Sequence, residues 1–122
     1  MKKFLISLFC GVLSLLSACG DSGKNVTQLS ADEIYFFYQN TCPHCHDAAR
    51  YIKAKYPDLE VVSLDVKLPG NMRLFEKAVR KYKIDGSRAG TPLICMGDKY
   101  IMGWSKADEH QFEVYVKPYL KK

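Results

Sequence analysis

The hydrophobic pattern changes its period along the chain, and each change indicates a different element. Residues 34–38 form a continuous apolar and aromatic run, which is typical of a strand buried on both faces. In the next segment the apolar positions recur at helical spacing and predict a helix over residues 46–56. These positions are Cys45, Ala49, Ile52 and Tyr56. A second strand is predicted over residues 59–66.

The second half of the chain predicts a helix, a hairpin and a last helix. Asn71 is expected to cap the first of these helices. Residues 93–96 and 99–104 predict two antiparallel strands joined by a Gly97-Asp98 turn. The whole order is strand, helix, strand, helix, hairpin, helix. This order indicates an α/β domain with a mixed four-stranded sheet and helices on both of its faces.

The amino terminus has the layout of a secretory signal peptide. Residues 1–3 are positively charged at two positions, and residues 4–16 are almost entirely apolar. This run is shorter than the ~20 residues of a membrane-spanning helix. The final Leu16-Ser17-Ala18-Cys19 resembles the lipobox of bacterial lipoproteins, which implies that Cys19 is lipidated. The alternative is ordinary signal cleavage that leaves Cys19 as a spare thiol.

These features divide the chain into a signal peptide over residues 1–18, a lipidated cysteine with a flexible tether over 19–32, and one small domain over 33–122. The formal net charge of +5 falls to about +3 when the signal peptide is removed, which does not indicate a nucleic-acid partner. The densest basic stretch spans residues 67–88. It indicates either a solvated helix face or a surface that meets anionic lipid or an acidic partner.

The cysteines carry the candidate chemistry. Cys10 lies in the signal peptide, which leaves Cys42, Cys45 and Cys95 once Cys19 is lipidated. One close pair and one odd cysteine indicate a redox pair and a buried apolar residue rather than a disulfide framework. Export implies an oxidising compartment in which disulfides persist.

The Cys42-Pro43-His44-Cys45 motif stands where the first strand gives way to a helix. A helix amino terminus favours negative charge, and His44 adds positive character, so Cys42 is predicted to form a reactive thiolate. Cys45, one helical turn away, is predicted to resolve mixed disulfides. The chemistry requires no cofactor beyond the Cys42–Cys45 disulfide and no metal.

The element order, the redox motif and Thr91-Pro92 before the third strand together resemble the thioredoxin fold in its minimal, glutaredoxin-like form. The redox motif resembles that of Dsb-type periplasmic oxidants, and Gly90-Thr91-Pro92 resembles that of the periplasmic isomerases. The resemblance implies a cis Pro92 and a Thr91 backbone that binds an extended substrate.

The chain departs from the pattern of its relatives at three places. Phe36 stands where thioredoxins have a carboxylate, and Thr41 stands where they have tryptophan. The stretch Gly103-Trp104-Ser105-Lys106 replaces the pattern with which glutaredoxins hold glutathione. These departures weaken the expectation of thioredoxin-like reduction and of glutathione binding.

The sequence therefore predicts a thiol–disulfide oxidoreductase of the bacterial cell envelope. It is expected to be a monomer that a lipid holds to a membrane, facing the periplasm or the exterior. Its expected partners are a protein or small-molecule thiol or disulfide and an unidentified redox partner, with no nucleic acid.

Two alternatives from another class of function stay open. With His46, the motif reads Cys-x-x-Cys-His, the attachment signature of c-type haem. A methionine would then supply the second axial ligand. The candidates are Met72, Met96 and Met102. The other alternative is zinc or copper(I) held by the two thiols with His44 or His46.

Overall fold

The computed structural model describes residues 26–120, so the predicted signal peptide, Cys19 and the start of the predicted tether lie outside the described residues. The strands of this part are β1 (Ile34–Tyr38), β2 (Val61–Asp65), β3 (Leu93–Met96) and β4 (Lys99–Met102). Its helices are α1 (Pro43–Lys55), α2 (Pro69–Lys81) and α3 (Lys106–Tyr115), and a 3₁₀ turn, Lys117–Tyr119, follows α3. The predicted succession of elements is confirmed.

The four strands form one mixed sheet in the order β2-β1-β3-β4. Strand β1 pairs parallel with β2 and antiparallel with β3, and β3 forms a hairpin with β4. Gly97, the first residue of the hairpin turn, has a φ of 66°, which glycine adopts without steric cost. Because β1 and β2 are parallel, their carboxyl ends lie at the same edge of the sheet. Helices α1 and α2 both begin at that edge.

The sheet separates two apolar cores, because alternate residues of each strand point to opposite faces. One core lies between the sheet and helices α1 and α3, and we call it the α1/α3 face. Its buried members are Ile34, Phe36, Cys45, Ala48, Ile52, Ile94, Met96, Ile101, Trp104, Phe112 and Val116. The other core lies under α2, and we call it the α2 face. Its buried members are Tyr35, Phe37, Leu64, Val66, Leu74, Phe75, Ala78, Leu93 and Cys95.

Three local predictions about the helices were wrong. Helix α1 begins at Pro43 rather than at residue 46, and its buried alanine is Ala48, whereas Ala49 is exposed. Helix α2 begins at Pro69 after Leu68, so Asn71 lies inside the helix and does not cap it. The Asn71 amide donates instead to the backbone carbonyl of Asp65 at 3.1 Å.

The segment before β1 packs on the domain. Val26 and Leu29 contact the core of the α2 face, and the hydroxyl of Tyr35 accepts a hydrogen bond from the Ser30 backbone N–H at 2.9 Å. Across residues 26–120, no helix combines the length and the apolar character that crossing a membrane requires.

Candidate functional site

The redox motif forms the first turn of α1. Cys42 is the N-cap residue, with extended backbone angles (φ −96°, ψ 109°), and Pro43 occupies the first turn. Proline suits this position because its missing N–H has no intrahelical partner there. The Cys42 sulfur accepts a hydrogen bond from the Cys45 backbone N–H, with an N–S distance of 3.2 Å. A thiol thus takes the capping role that serine or aspartate usually plays.

The two thiols of the motif occupy different surroundings. Cys42 is half-buried, whereas Cys45 is buried in the α1/α3 core beside apolar side chains. No disulfide joins the two sulfurs in this structure. The motif therefore presents one sulfur near solvent and holds the other beneath it.

The pKa values of the two thiols move in opposite directions. Burial raises the pKa of Cys42. Hydrogen bonds from the Cys45 and Thr91 side chains and from the backbone N–H groups of Cys45 and His44 lower the pKa by more than burial raises it, so the net pKa lies below its ordinary value. Burial and the hydrogen bond to Cys42 raise the pKa of the Cys45 thiol. Cys42 is therefore the thiol that ionises first, and Cys45 stays protonated.

His44 contributes to this shift through its backbone. Its side chain is exposed at the start of α1, and its effect on the Cys42 pKa comes from the backbone N–H group. Because a sulfur at a helix start accepts from such N–H groups, the motif stabilises a thiolate without a charged neighbour. The electrostatic role predicted for the His44 imidazole stays a prediction.

The Thr91-Pro92 segment, which is distant from the redox motif in the sequence, contacts the motif in the fold. The Cys42 thiol donates to the Thr91 carbonyl, with an S–O distance of 3.6 Å. The Thr91–Pro92 bond is cis, as the resemblance implied, and Pro92 is buried. The Pro92 carbonyl accepts a hydrogen bond from the Gly103 N–H at 2.8 Å. Cys42, Cys45 and Thr91 therefore lie together, and Pro92 follows Thr91 in the chain. The roles that the motif and the resemblance gave to these four residues stay predictions.

The position of Phe36 leaves Cys45 without a buried carboxylate. Phe36 lies in the same core cluster as Cys45 and is itself buried. Within residues 26–120, no charged or polar side chain is buried at all. The surroundings of Cys45 on this face are therefore apolar, and its nearest polar contacts lie on the side of Cys42.

A groove of about 570 Å³ adjoins the redox motif between α1 and the start of α3. Tyr51 and the indole of Trp104 contribute aromatic surface to it, and His44 and Lys106 lie along its sides. Trp104 also belongs to the buried α1/α3 core, and the sequence analysis did not predict the groove. Its walls come from segments some fifty residues apart, so no local pattern marks it.

The alternative ligand sites find little support in the same geometry. The His46 ring nitrogen Nε2 lies 2.7 Å from the Asn40 carbonyl oxygen, and Cys45 is buried. A thioether to haem needs an accessible sulfur, which the position of Cys45 does not provide. In the part of the chain that the structure describes, no three His, Cys, Asp or Glu side chains lie together as a metal site would need.

Cys95 lies on the α2 face, across the sheet from the motif. Burial raises the pKa of its thiol to about 12. It is therefore a buried, protonated thiol, in keeping with the predicted apolar role.

Comparison with known proteins identifies the architecture. The glutaredoxin grx-1 from Archaeoglobus fulgidus matches with a TM-score of 0.53 and 23% identity, over 70% of this chain and 86% of that chain. The chain has a glutaredoxin-like thioredoxin fold. The structure of reduced Escherichia coli glutaredoxin matches with a TM-score of 0.43 and 20% identity, over 74% of this chain and 99% of that chain.

No family model and no curated protein matches the sequence. The likeness therefore concerns the glutaredoxin-like fold, and the chemistry must be argued from the residues of the site.

Proposed function

We propose that the protein is a thiol–disulfide oxidoreductase that acts through Cys42 and Cys45. The observation that carries the proposal is the arrangement of the two sulfurs: Cys42 caps α1 and accepts from the Cys45 N–H, while the Cys45 thiol lies buried one helical turn away. The pKa of the capping thiol is lowered and that of the buried thiol is raised. Disulfide exchange needs this difference, because one sulfur must attack as a thiolate while the other waits as a thiol.

The first step forms a mixed disulfide. The Cys42 thiolate attacks one sulfur of a substrate disulfide, a bond forms between Cys42 and that sulfur, and the substrate S–S bond breaks. The second substrate sulfur leaves as a thiolate and takes up a proton from solvent. Residues at the mouth of the site, Thr91 above all, are proposed to hold the substrate chain through backbone hydrogen bonds, as in strand addition.

The second step releases the substrate. The Cys45 thiol loses its proton and attacks the Cys42 sulfur of the mixed disulfide. The Cys42–Cys45 bond forms, and the first substrate sulfur leaves as a thiolate. One disulfide has been reduced to two thiols and one pair of thiols has been oxidised, so electrons balance. A thiol or disulfide partner must then reset the pair.

Both steps are reversible. In the reverse direction, the oxidised pair accepts electrons from substrate thiols. A lowered Cys42 pKa stabilises the reduced pair and so makes its disulfide the stronger oxidant. The reduction potentials of such pairs range from ~−270 mV for reductants to ~−120 mV for strong oxidants. The equilibrium reduction potential of the Cys42–Cys45 pair would show whether this protein is a reductant or an oxidant. We propose an oxidising or isomerising role.

The cellular setting is part of the proposal. Lipidation of Cys19 would hold the domain to a membrane of the bacterial envelope, where disulfide substrates persist. The layout of residues 1–19 and the spacing of the three remaining cysteines support this setting.

The decisive experiment replaces each sulfur in turn. We expect Cys42→Ser to abolish exchange with a model disulfide, because the other described thiols, Cys45 and Cys95, are buried and have raised pKa values. Cys45→Ser should accumulate mixed disulfides with substrate, which mass spectrometry of acid-quenched samples detects. Cys95→Ser is the matched control and should retain activity. Full activity in Cys42→Ser, or mixed disulfides on Cys45 in the wild type, would overturn the assigned roles.

A further inference from the structure

The outward side of α2 and its flanking loops is strongly basic. We call this set the basic surface, and its cations are Lys67, Arg73, Lys77, Arg80, Lys81, Lys83 and Arg88, all exposed. Only Glu76 and Asp85 oppose them between residues 67 and 88. In contrast, α1 and α3 carry four basic and four acidic residues.

The charges of the basic surface are unpaired. Across residues 26–120, the ion pairs join Arg50 to Asp47, Lys55 to Glu113, and Lys106 to Glu109, all on α1 and α3. None involves a cation of the basic surface. A solvated helix face usually interleaves both signs and pairs some of them, so this arrangement suits an external partner of negative charge.

Apolar side chains border the same surface. Leu68 and Met72, one helical turn apart at the start of α2, are 57% and 37% exposed. The inward side of the helix is buried at Leu74, Phe75 and Ala78. A helix end that combines exposed apolar residues with a field of cations is typical of segments that rest in a membrane interface.

The amino-terminal segment reaches the domain on the same side. Val26 and Leu29 pack against the core of the α2 face, and the Lys77 ammonium donates to the Thr27 carbonyl at 3.4 Å. Cys19 lies only seven residues before Val26, a stretch that spans at most about 25 Å. A lipid on Cys19 would therefore hold α2 near the bilayer.

We propose that the basic surface binds the anionic headgroups of a membrane and that Leu68 and Met72 enter its interface. The cations suit any anionic partner, and the bordering apolar pair together with the short reach from Cys19 favours a bilayer over an acidic protein. The surface is independent of the redox chemistry, so either proposal can fail alone. Because Leu68 follows β2 at the edge where Cys42 follows β1, this contact brings the thiol pair to the membrane side.

Hydroxyl-radical footprinting of the full chain, reconstituted in vesicles, tests the contact. One set of vesicles is phosphatidylcholine alone and the other includes phosphatidylglycerol. We expect Leu68 and Met72 to be modified several-fold more slowly in the anionic vesicles. Val114, 45% exposed on α3, is the internal control and should react equally in both. The protection should disappear in 1 M salt, where the screening length falls to about 3 Å.

Charge reversal supplies the matched variants. Arg73→Glu with Arg80→Glu should remove the protection, because each cation near an anionic leaflet contributes about fivefold in binding. Lys53→Glu, an exposed cation on α1, should keep it. Circular dichroism confirms that each variant folds, and the salt series on the wild type needs no variant. Equal modification of Leu68 and Met72 in both vesicles, or equal protection of Val114, would overturn the proposal.

Discussion

The two faces of the sheet each bury one cysteine, and only one of these cysteines belongs to the candidate site. Cys45 on the α1/α3 face is 3% exposed and Cys95 on the α2 face is 1% exposed, and burial raises the pKa of both thiols. The difference is that Cys45 lies one turn below a capping thiol. Burial therefore disfavours the thiolate at both positions, and what distinguishes Cys45 is its place beneath the sulfur that caps α1.

The faces also differ in how they treat charge. The α1/α3 face pairs its charges across helices, as in the contact of Lys55 and Tyr51 with Glu113. On the α2 face, the exposed cations of the basic surface form no ion pair within residues 26–120. One face thus carries the candidate site, whereas the other carries the surface that we propose to bind an anionic membrane.

The largest effect is expected when a large side chain is removed from each of the two cores, which tests whether the faces are separate environments. Phe36 and Phe37 are neighbours on β1 that point to opposite faces, and both are buried. We expect Phe36→Ala and Phe37→Ala each to lower the free energy of unfolding by about 3–5 kcal/mol. Urea denaturation measures both losses.

Only Phe36→Ala should affect the redox pair. It removes volume from the cluster that contains Cys45, so Cys45 should be alkylated faster in the folded variant. Phe37→Ala is the control, because it opens the cluster that contains Cys95. If both variants changed Cys45 equally, the faces would not be separate environments.

The sequence predicted the parts of the fold that depend on long apolar runs. Strand β1 was predicted at its observed limits because it is buried on both faces. The start of α1 was missed by three residues, since its cap is a thiol and cysteine is not among the residues that mark a helix start. The start of α2 was missed because Leu68 provides no side-chain cap at all.

The candidate site was predictable in its motif and not in its assembly. The spacing of Cys42 and Cys45 is local, so the pair could be read directly. Thr91 lies 49 residues away from Cys42, and only the resemblance brought it into the site. The groove at Trp104 depends on how α1 and α3 pack together, and the hydrophobic periodicity of the sequence does not predict that packing.

A smaller effect sharpens the contrast between the thiols of the pair. The pKa of Cys42 lies below its ordinary value of 9.0, so its alkylation rate should rise with pH and reach half of its maximum below pH 9. Cys45→Ala removes the hydrogen bond from the Cys45 side chain and should raise the half-maximal pH by up to about one unit. Rates of iodoacetamide labelling across pH measure the shift.

Cys45→Ser is the control for this shift, because its hydroxyl can still donate to the Cys42 sulfur. Its half-maximal pH should lie closer to that of the wild type than the value for Cys45→Ala does. An unchanged profile in Cys45→Ala would mean that the Cys45 side chain does not lower the Cys42 pKa.

The smallest expected effect is the loss in the free energy of unfolding when one tyrosine hydroxyl is removed from each face. Tyr82 on the α2 face donates to the Gly97 carbonyl at 2.7 Å, and Tyr51 on the α1/α3 face donates to Glu113 at 2.9 Å. Tyr82→Phe should lower the free energy of unfolding by about 1 kcal/mol, the usual contribution of one hydrogen bond. Tyr51→Phe should lower it less, since Lys55 still contacts the Glu113 carboxylate. Equal losses in urea denaturation would show that Lys55 does not compensate for the missing hydroxyl.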